Sequence, residues 1–126
     1  NILTNVNGSS AYFKGGIISY TNELKIDSGV PAELIENYGV VSEQVAEFMA
    51  RAVRERLGSD LGVGITGVAG PEPLENQPPG VVYIGVAHPN GSHASYYRFP
   101  ANNRNLVKHR AVISALLDVR RVLMLL

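Results

Sequence analysis

LGVGITGVAGP (Leu61–Pro71), followed shortly by PPGVVYIGVA (Pro78–Ala87), is the stretch on which the fold turns. Leu61 to Ile65 reads as a buried strand that runs into a loop rich in glycine and proline from Thr66 to Gly80. Val81 to Ala87 is nearly all apolar, the pattern of a central strand with both faces covered. Asn90-Gly91 is a strong hairpin turn signal, and it returns the chain along Ser92 to Phe99.

Upstream of that stretch, Ser42 is a good N-cap for a helix from Glu43 to Leu57 that stops at Gly58. Val45, Phe48, Met49, Ala52 and Val53 fall on one face of it, while Arg51, Arg54 and Glu55 lie elsewhere. Before it, Ile17-Ile18-Ser19-Tyr20 is short and β-branched and predicts a strand. Thr21 to Ser28 predicts a short helix closed by Gly29, with Pro31 opening the next one. Asn1 to Asn5 reads as the end of a helix that leads into a turn at Asn7-Gly8-Ser9-Ser10. Downstream, Arg104 to about Leu123 is a long amphipathic helix. Strands and helices alternate around one antiparallel hairpin. The expected fold is therefore α/β: a three-layer α/β/α domain with a mixed, mostly parallel sheet.

The 126 residues are 45% hydrophobic and 17% charged, with 11 basic and 11 acidic side chains. A chain of this length forms one domain, here residues 1–126, with a core that needs no metal or disulfide staple. Zero net charge argues against direct nucleic-acid binding through broad phosphate neutralisation. The absence of cysteine excludes a disulfide framework, a thiolate zinc site and a cysteine nucleophile. No apolar run approaches the roughly 18 residues of a membrane span, and Asn-Ile-Leu-Thr-Asn is not a signal peptide, so no membrane partner and a cytoplasmic location are expected. The charged share is below the usual level of about 25%, and Val122 to Leu126 is apolar throughout. Both features point to a homo-oligomer. The abrupt opening at Asn1 and the apolar end further predict that the sequence has been trimmed at one or both ends.

Three segments carry groups suited to chemistry. In Gly64-Ile65-Thr66-Gly67-Val68-Ala69-Gly70, glycine recurs at every third position after a strand, and Thr66 adds a hydroxyl where open α/β sheets bind ligands. The segment lacks both the dinucleotide fingerprint and the Walker A pattern. It reads either as a ligand loop or as a tight strand exit. Tyr20-Thr21-Asn22-Glu23-Leu24-Lys25 crowds polar side chains at a strand-to-helix junction, and Lys25, one turn beyond Thr21, can return to the same cleft; a solvated helix end is the alternative. Arg104, with Lys108 one turn later, is either a phosphate clamp or a solvent-facing cation. Gly8-Ser9-Ser10 is either a cap or oxyanion corner or simply a helix start. His88, His93 and His109 show no ligand spacing, so no metal site is expected. No G-x-S-x-G elbow is present. Tyr83, Tyr96, Tyr97 and Phe99 on the hairpin strands read as core.

GSSAYFKGGIISYTNELK (Gly8–Lys25), GVPAELIENYGVVSEQVAEFMA (Gly29–Ala50), GITGVAGP (Gly64–Pro71) and PPGVVYIGVA (Pro78–Ala87) together resemble the C-terminal domain of the CinA family. The similarity runs through nearly the whole chain, including Phe99-Pro100 and Arg104. Members of this family are known as competence- and damage-inducible proteins and as nicotinamide mononucleotide deamidases.

The resemblance implies amide hydrolysis: nicotinamide mononucleotide and water give nicotinate mononucleotide and ammonia. In such a serine–lysine amidase a serine attacks the carboxamide and a neutral lysine takes its proton, and Lys25 matches the family lysine. By the same resemblance Tyr20 and Asn22 line the pocket, and Ser9 and Ser10 contribute to its floor. Thr66, Gly67 and Gly70 hold the substrate, and Arg104 binds its phosphate. No metal or organic cofactor is implied. Where the family has its nucleophile, in a Glu-Ser-x-Thr-Gly-Gly motif upstream of the segment matching Asn1 to Asn5, this sequence has no counterpart. It is therefore expected to lack its first strand and nucleophile at the N-terminus. Other departures are Val81 in place of threonine, Pro73 to Gln77 in place of a glycine-rich stretch and a lysine, and one extra residue between Pro100 and Arg104. A non-catalytic nucleotide-binding or interaction module is the rival reading.

Overall fold

In the computed structural model, which describes residues 1–126, three strands form one sheet in the order β1 (Gly62–Gly67), β2 (Val81–His88) and β3 (Gly91–Arg98). Both pairings are antiparallel, so the expected mixed, mostly parallel sheet is corrected. A parallel return needs a crossover, usually through a helix. Residues 68–80 contain no helix and instead prolong the β1–β2 ladder, with the Val68 N–H donating to Val81 O (2.8 Å) and the Gly80 N–H to Val68 O (2.7 Å). The second pairing is the hairpin that Asn90-Gly91 predicts, with His88 opposite Gly91.

Four helices surround the sheet: α1 (Asn22–Asp27), α2 (Ala32–Tyr38), α3 (Glu43–Leu57) and α4 (Arg104–Leu125). The Ser42 hydroxyl caps α3 by accepting from the Val45 N–H (3.3 Å), and Gly58 ends it at φ +60°. Asn103 caps α4 in the same way, accepting from the Leu106 N–H at 2.8 Å. α3 lies on one sheet face, over Gly62, Gly64 and Gly85, whose missing side chains let Ala46 and Ala50 of the helix approach the strands. The buried face of α3 is thus Val45, Ala46 and Ala50; Phe48, Met49, Ala52 and Val53 are only half-buried. On the opposite face, Val82 and Ile84 pack with Val107, Ala111 and Ala115 of α4. No helix is long and apolar enough to cross a membrane.

Two further expectations are corrected. Asn1 to Asn5 is not a helix end but a 3₁₀ turn over Ile2–Asn5. Ile17 to Tyr20 forms no strand, and Ile18 is 91% exposed. β-Branched residues favour extended backbone, but a strand also needs a neighbour to satisfy its N–H and C=O groups, and no strand lies beside this segment. β1 is correspondingly less buried than its apolar sequence implies, with Ile65 39% exposed.

A buried polar cluster fastens α4 to β3. Asp118, 4% exposed, accepts the Tyr97 hydroxyl at 2.8 and 2.9 Å and an Arg121 N–H at 2.8 Å. Burial, followed by the Asp118 carboxylate, raises the pKa of the Tyr97 hydroxyl. Tyr97→Phe withdraws a donor from a buried charge and is expected to lower stability by about 1–3 kcal/mol, read from the urea midpoint.

Candidate active-site cleft

A cleft of about 1400 Å³ opens between the Tyr12–Lys25 segment, β1 with its exit loop to Leu74, and the face of α4 that carries Val112, Leu116, Val119 and Leu123. Its lining is largely apolar, and Lys25, Thr66 and Arg104 are among its polar groups.

Lys25 is placed there by local chemistry. Thr21 caps α1, its hydroxyl accepting from the Leu24 N–H at 3.2 Å, and the first turn then directs Lys25 inward. Lys25 is 8% exposed, and its Nζ donates to the Ser19 carbonyl at 2.7 Å. No carboxylate pairs with it: the one salt bridge of the fold joins Arg121 and Asp118. Removal from water without an ion-pair partner disfavours the ammonium, so burial holds the Lys25 pKa below the ordinary lysine value; the Glu75 carboxylate pulls it the other way.

Arg104, at the first turn of α4, donates to Gly70 O at 2.8 Å and to the Tyr20 hydroxyl at 3.4 Å. It thereby joins two other expected residues, Tyr20 and Gly70, at the mouth of the cleft. Tyr20 is 78% exposed, and Arg104 keeps further N–H donors for an anion. Asn22, just after the cap of α1, lines the same mouth.

The glycine-rich exit divides by role. Gly64 serves packing against α3, whereas Gly67 and Gly70 (φ +88°) line the cleft. Thr66 is buried and its hydroxyl donates to Val40 O at 2.9 Å, so its proton is committed to the backbone and only its lone pairs can face a ligand. The Val68 N–H is used in the ladder, whereas the Ala69 and Gly70 N–H groups have no partner within the chain. Ser9 and Ser10 are not part of the cleft: they stand on a separate 3₁₀ turn over Ser9–Ala11, where the Ser9 carbonyl accepts from Tyr12 and Phe13. That turn closes on itself, and the lining resumes at Ala11. No group of three or more His, Asp or Glu side chains comes together anywhere. Sequence reasoning missed Glu75, whose only signal was that Pro73 to Gln77 departs from the family pattern.

Fold and cleft define a small α/β domain that buries an unpaired lysine beside a cleft whose mouth is braced by an arginine. Residues 1–123 match the CinA C-terminal domain, and the chain belongs to that family. A CinA-like protein of Frankia casuarinae is 46% identical over 96% of this chain, which spans 28% of that protein's length. A CinA-like protein of Thermosynechococcus vestitus is 47% identical over 98% of this chain and 30% of its own length. Among solved structures, the competence/damage inducible protein CihA from Agrobacterium tumefaciens superposes with a TM-score of 0.89 at 32% identity, covering 94% of this chain and 74% of that one. A CinA superfamily protein from Escherichia coli gives 0.91 at 27% identity, covering 95% and 70%.

Proposed function

We propose that this domain belongs to an amidohydrolase that converts nicotinamide mononucleotide and water into nicotinate mononucleotide and ammonia. The observation that carries this reading is Lys25, buried, without an acidic partner, and bound only to a neutral carbonyl. Such an amine has a larger neutral fraction near pH 7 than an exposed lysine and can act as a general base. In the proposed step neutral Lys25 takes the proton of a serine hydroxyl as the oxygen attacks the carboxamide carbon. It then gives that proton to the amide nitrogen, which leaves as ammonia when the C–N bond breaks, and water hydrolyses the acyl-enzyme. The serine is the one that the family resemblance puts upstream of Asn1. The free amides of Ala69 and Gly70 and the remaining donors of Arg104 suit the substrate's oxygens and phosphate.

Ammonia release from nicotinamide mononucleotide by the full-length protein tests this reading, and a protein that binds the compound without turning it over rejects it. That second outcome would instead support a binding module, the reading favoured by one fact: no hydroxyl of this chain is hydrogen-bonded to Lys25 Nζ. Arg104→Ala is expected to raise KM roughly ten- to a hundredfold with a smaller change in kcat, since a phosphate contact contributes to ground-state and transition-state binding alike.

Self-association is proposed as well, on the exposed Ile113, Leu117 and Met124, which recur along one stripe of α4. A monomer in sedimentation at micromolar concentration would reject it.

A further inference from the structure

Val40 and Val41 connect α2 to α3, line the cleft, and belong to no helix or strand, so their four backbone polar groups need partners from elsewhere. Side chains supply all four. The Val40 N–H donates to Glu75 Oε2 and the Val41 N–H to Glu75 Oε1, each at 2.9 Å. The Thr66 hydroxyl donates to Val40 O at 2.9 Å, and Gln77 Nε2 donates to Val41 O at 2.6 Å. One carboxylate therefore holds two successive amides across the cleft wall.

The loop that carries Glu75 is shaped for this contact. Leu74 and Gln77 close a tight turn, the Leu74 N–H donating to Gln77 O (3.1 Å) and the Gln77 N–H to Leu74 O (2.8 Å). Glu75 and Asn76 occupy its centre at φ +51° and +61°. That region is unfavourable for glutamate, and such backbone persists where surrounding contacts fix it. The limb before the turn, Pro71 to Leu74, lines the same cleft as Val40 and Val41.

We propose that Glu75 is a positioning residue: it fixes the Pro71–Leu74 limb against the Val40–Val41 wall and holds a carboxylate at a set place relative to the Lys25 amine. This rests on the reading of Lys25 as proton acceptor. The two residues make no ion pair, yet Glu75 is the charge that acts on Lys25, opposing the effect of burial. The other titratable groups along the cleft are Tyr12, Lys14, Tyr20, Asp60, Glu72 and Arg104, and none of them contributes to that shift.

The test compares the full-length wild type with Glu75→Gln and Glu75→Ala, the glutamine variant keeping one acceptor oxygen should alanine fail to fold. Amide exchange at Val40 and Val41 is expected to accelerate roughly ten- to a hundredfold in Glu75→Ala and less in Glu75→Gln. The Lys25 titration midpoint, followed by NMR at its side-chain carbon next to Nζ, is expected to fall in both variants. Unchanged exchange overturns the proposal. So does faster exchange with an unmoved Lys25 midpoint, because Glu75 would then only anchor the loop. Neither readout needs turnover, so a wild type that releases no ammonia would reject the proposed reaction without deciding this inference.

Discussion

Gly85→Ala is expected to lose about 3 kcal/mol or more of stability, with a large fall in the urea midpoint. A Cβ at position 85 would sit 2.3 Å from the carbonyl oxygen of Ala46, 2.6 Å from its carbon and 2.8 Å from the Cα of Glu47. All three are backbone atoms of α3, so no rotamer change relieves the clash and the helix itself must lift. Gly64, paired with Gly85 across β1 and β2, meets the same Ala46 oxygen at 2.3 Å, and Gly62 meets Ala50 O at 2.2 Å. Lifting α3 would open the core around the fully buried Val45, Ala46 and Ala50. Total stabilities of small domains are only about 5–15 kcal/mol, so this loss is a large share. Gly16→Ala is the control: its backbone is not left-handed and nothing lies within 4 Å of the added Cβ. It is expected to unfold at the wild-type midpoint.

Lys25→Met in the full-length protein is expected to lower kcat/KM for nicotinamide mononucleotide by about 10²–10⁴-fold, the usual contribution of a positioned acid–base group. Stability should move the other way near neutral pH. Burial holds the Lys25 pKa lower in the folded chain than in the unfolded one. Between those two values the unfolded chain binds more protons, so wild-type stability rises with pH through that window and levels off above the unfolded lysine value. Below the folded pKa the full penalty of the buried ammonium is present. Methionine has a similar length and no charge, so Lys25→Met should be more stable than wild type at pH 7, and the two should converge as pH rises towards about 10.4. Paired urea unfolding curves at pH 7 and pH 10 measure this. A variant equally stable or less stable at pH 7 would mean that Lys25 is not held against its charged state.

Elements carrying local signals were legible in the sequence. Ser42 and Gly58 bound α3, Thr21 and Gly29 bracket α1, and Asn90-Gly91 makes the β2–β3 turn, because caps and tight turns depend on nearest neighbours. What depended on distant partners was not. The direction of β2 followed from a helix-free connection between residues 68 and 80 that bonds back onto its own ladder. Ile17 to Tyr20 has strand composition without a strand beside it. Gly64 looked like a ligand glycine, but its neighbour across space is α3. Lys25, Tyr20, Asn22, Gly67, Gly70 and Arg104 line one cleft. Thr66 lines it too, with its proton already spent on Val40. Ser9 and Ser10 fall outside, and Glu75 was invisible because its role comes from reaching back to Val40 and Val41, more than thirty positions away in the chain.

The pH dependence of ammonia release from nicotinamide mononucleotide by the full-length protein decides whether Lys25 is the proton acceptor of an amide hydrolysis. The expected profile is a kcat/KM that rises with pH to an inflection below the ordinary lysine value. That inflection should coincide with the titration of Lys25 followed by NMR, and Lys25→Arg should abolish the activity while nicotinamide mononucleotide still binds. Wild-type rates and an unchanged pH profile in Lys25→Arg would contradict that role.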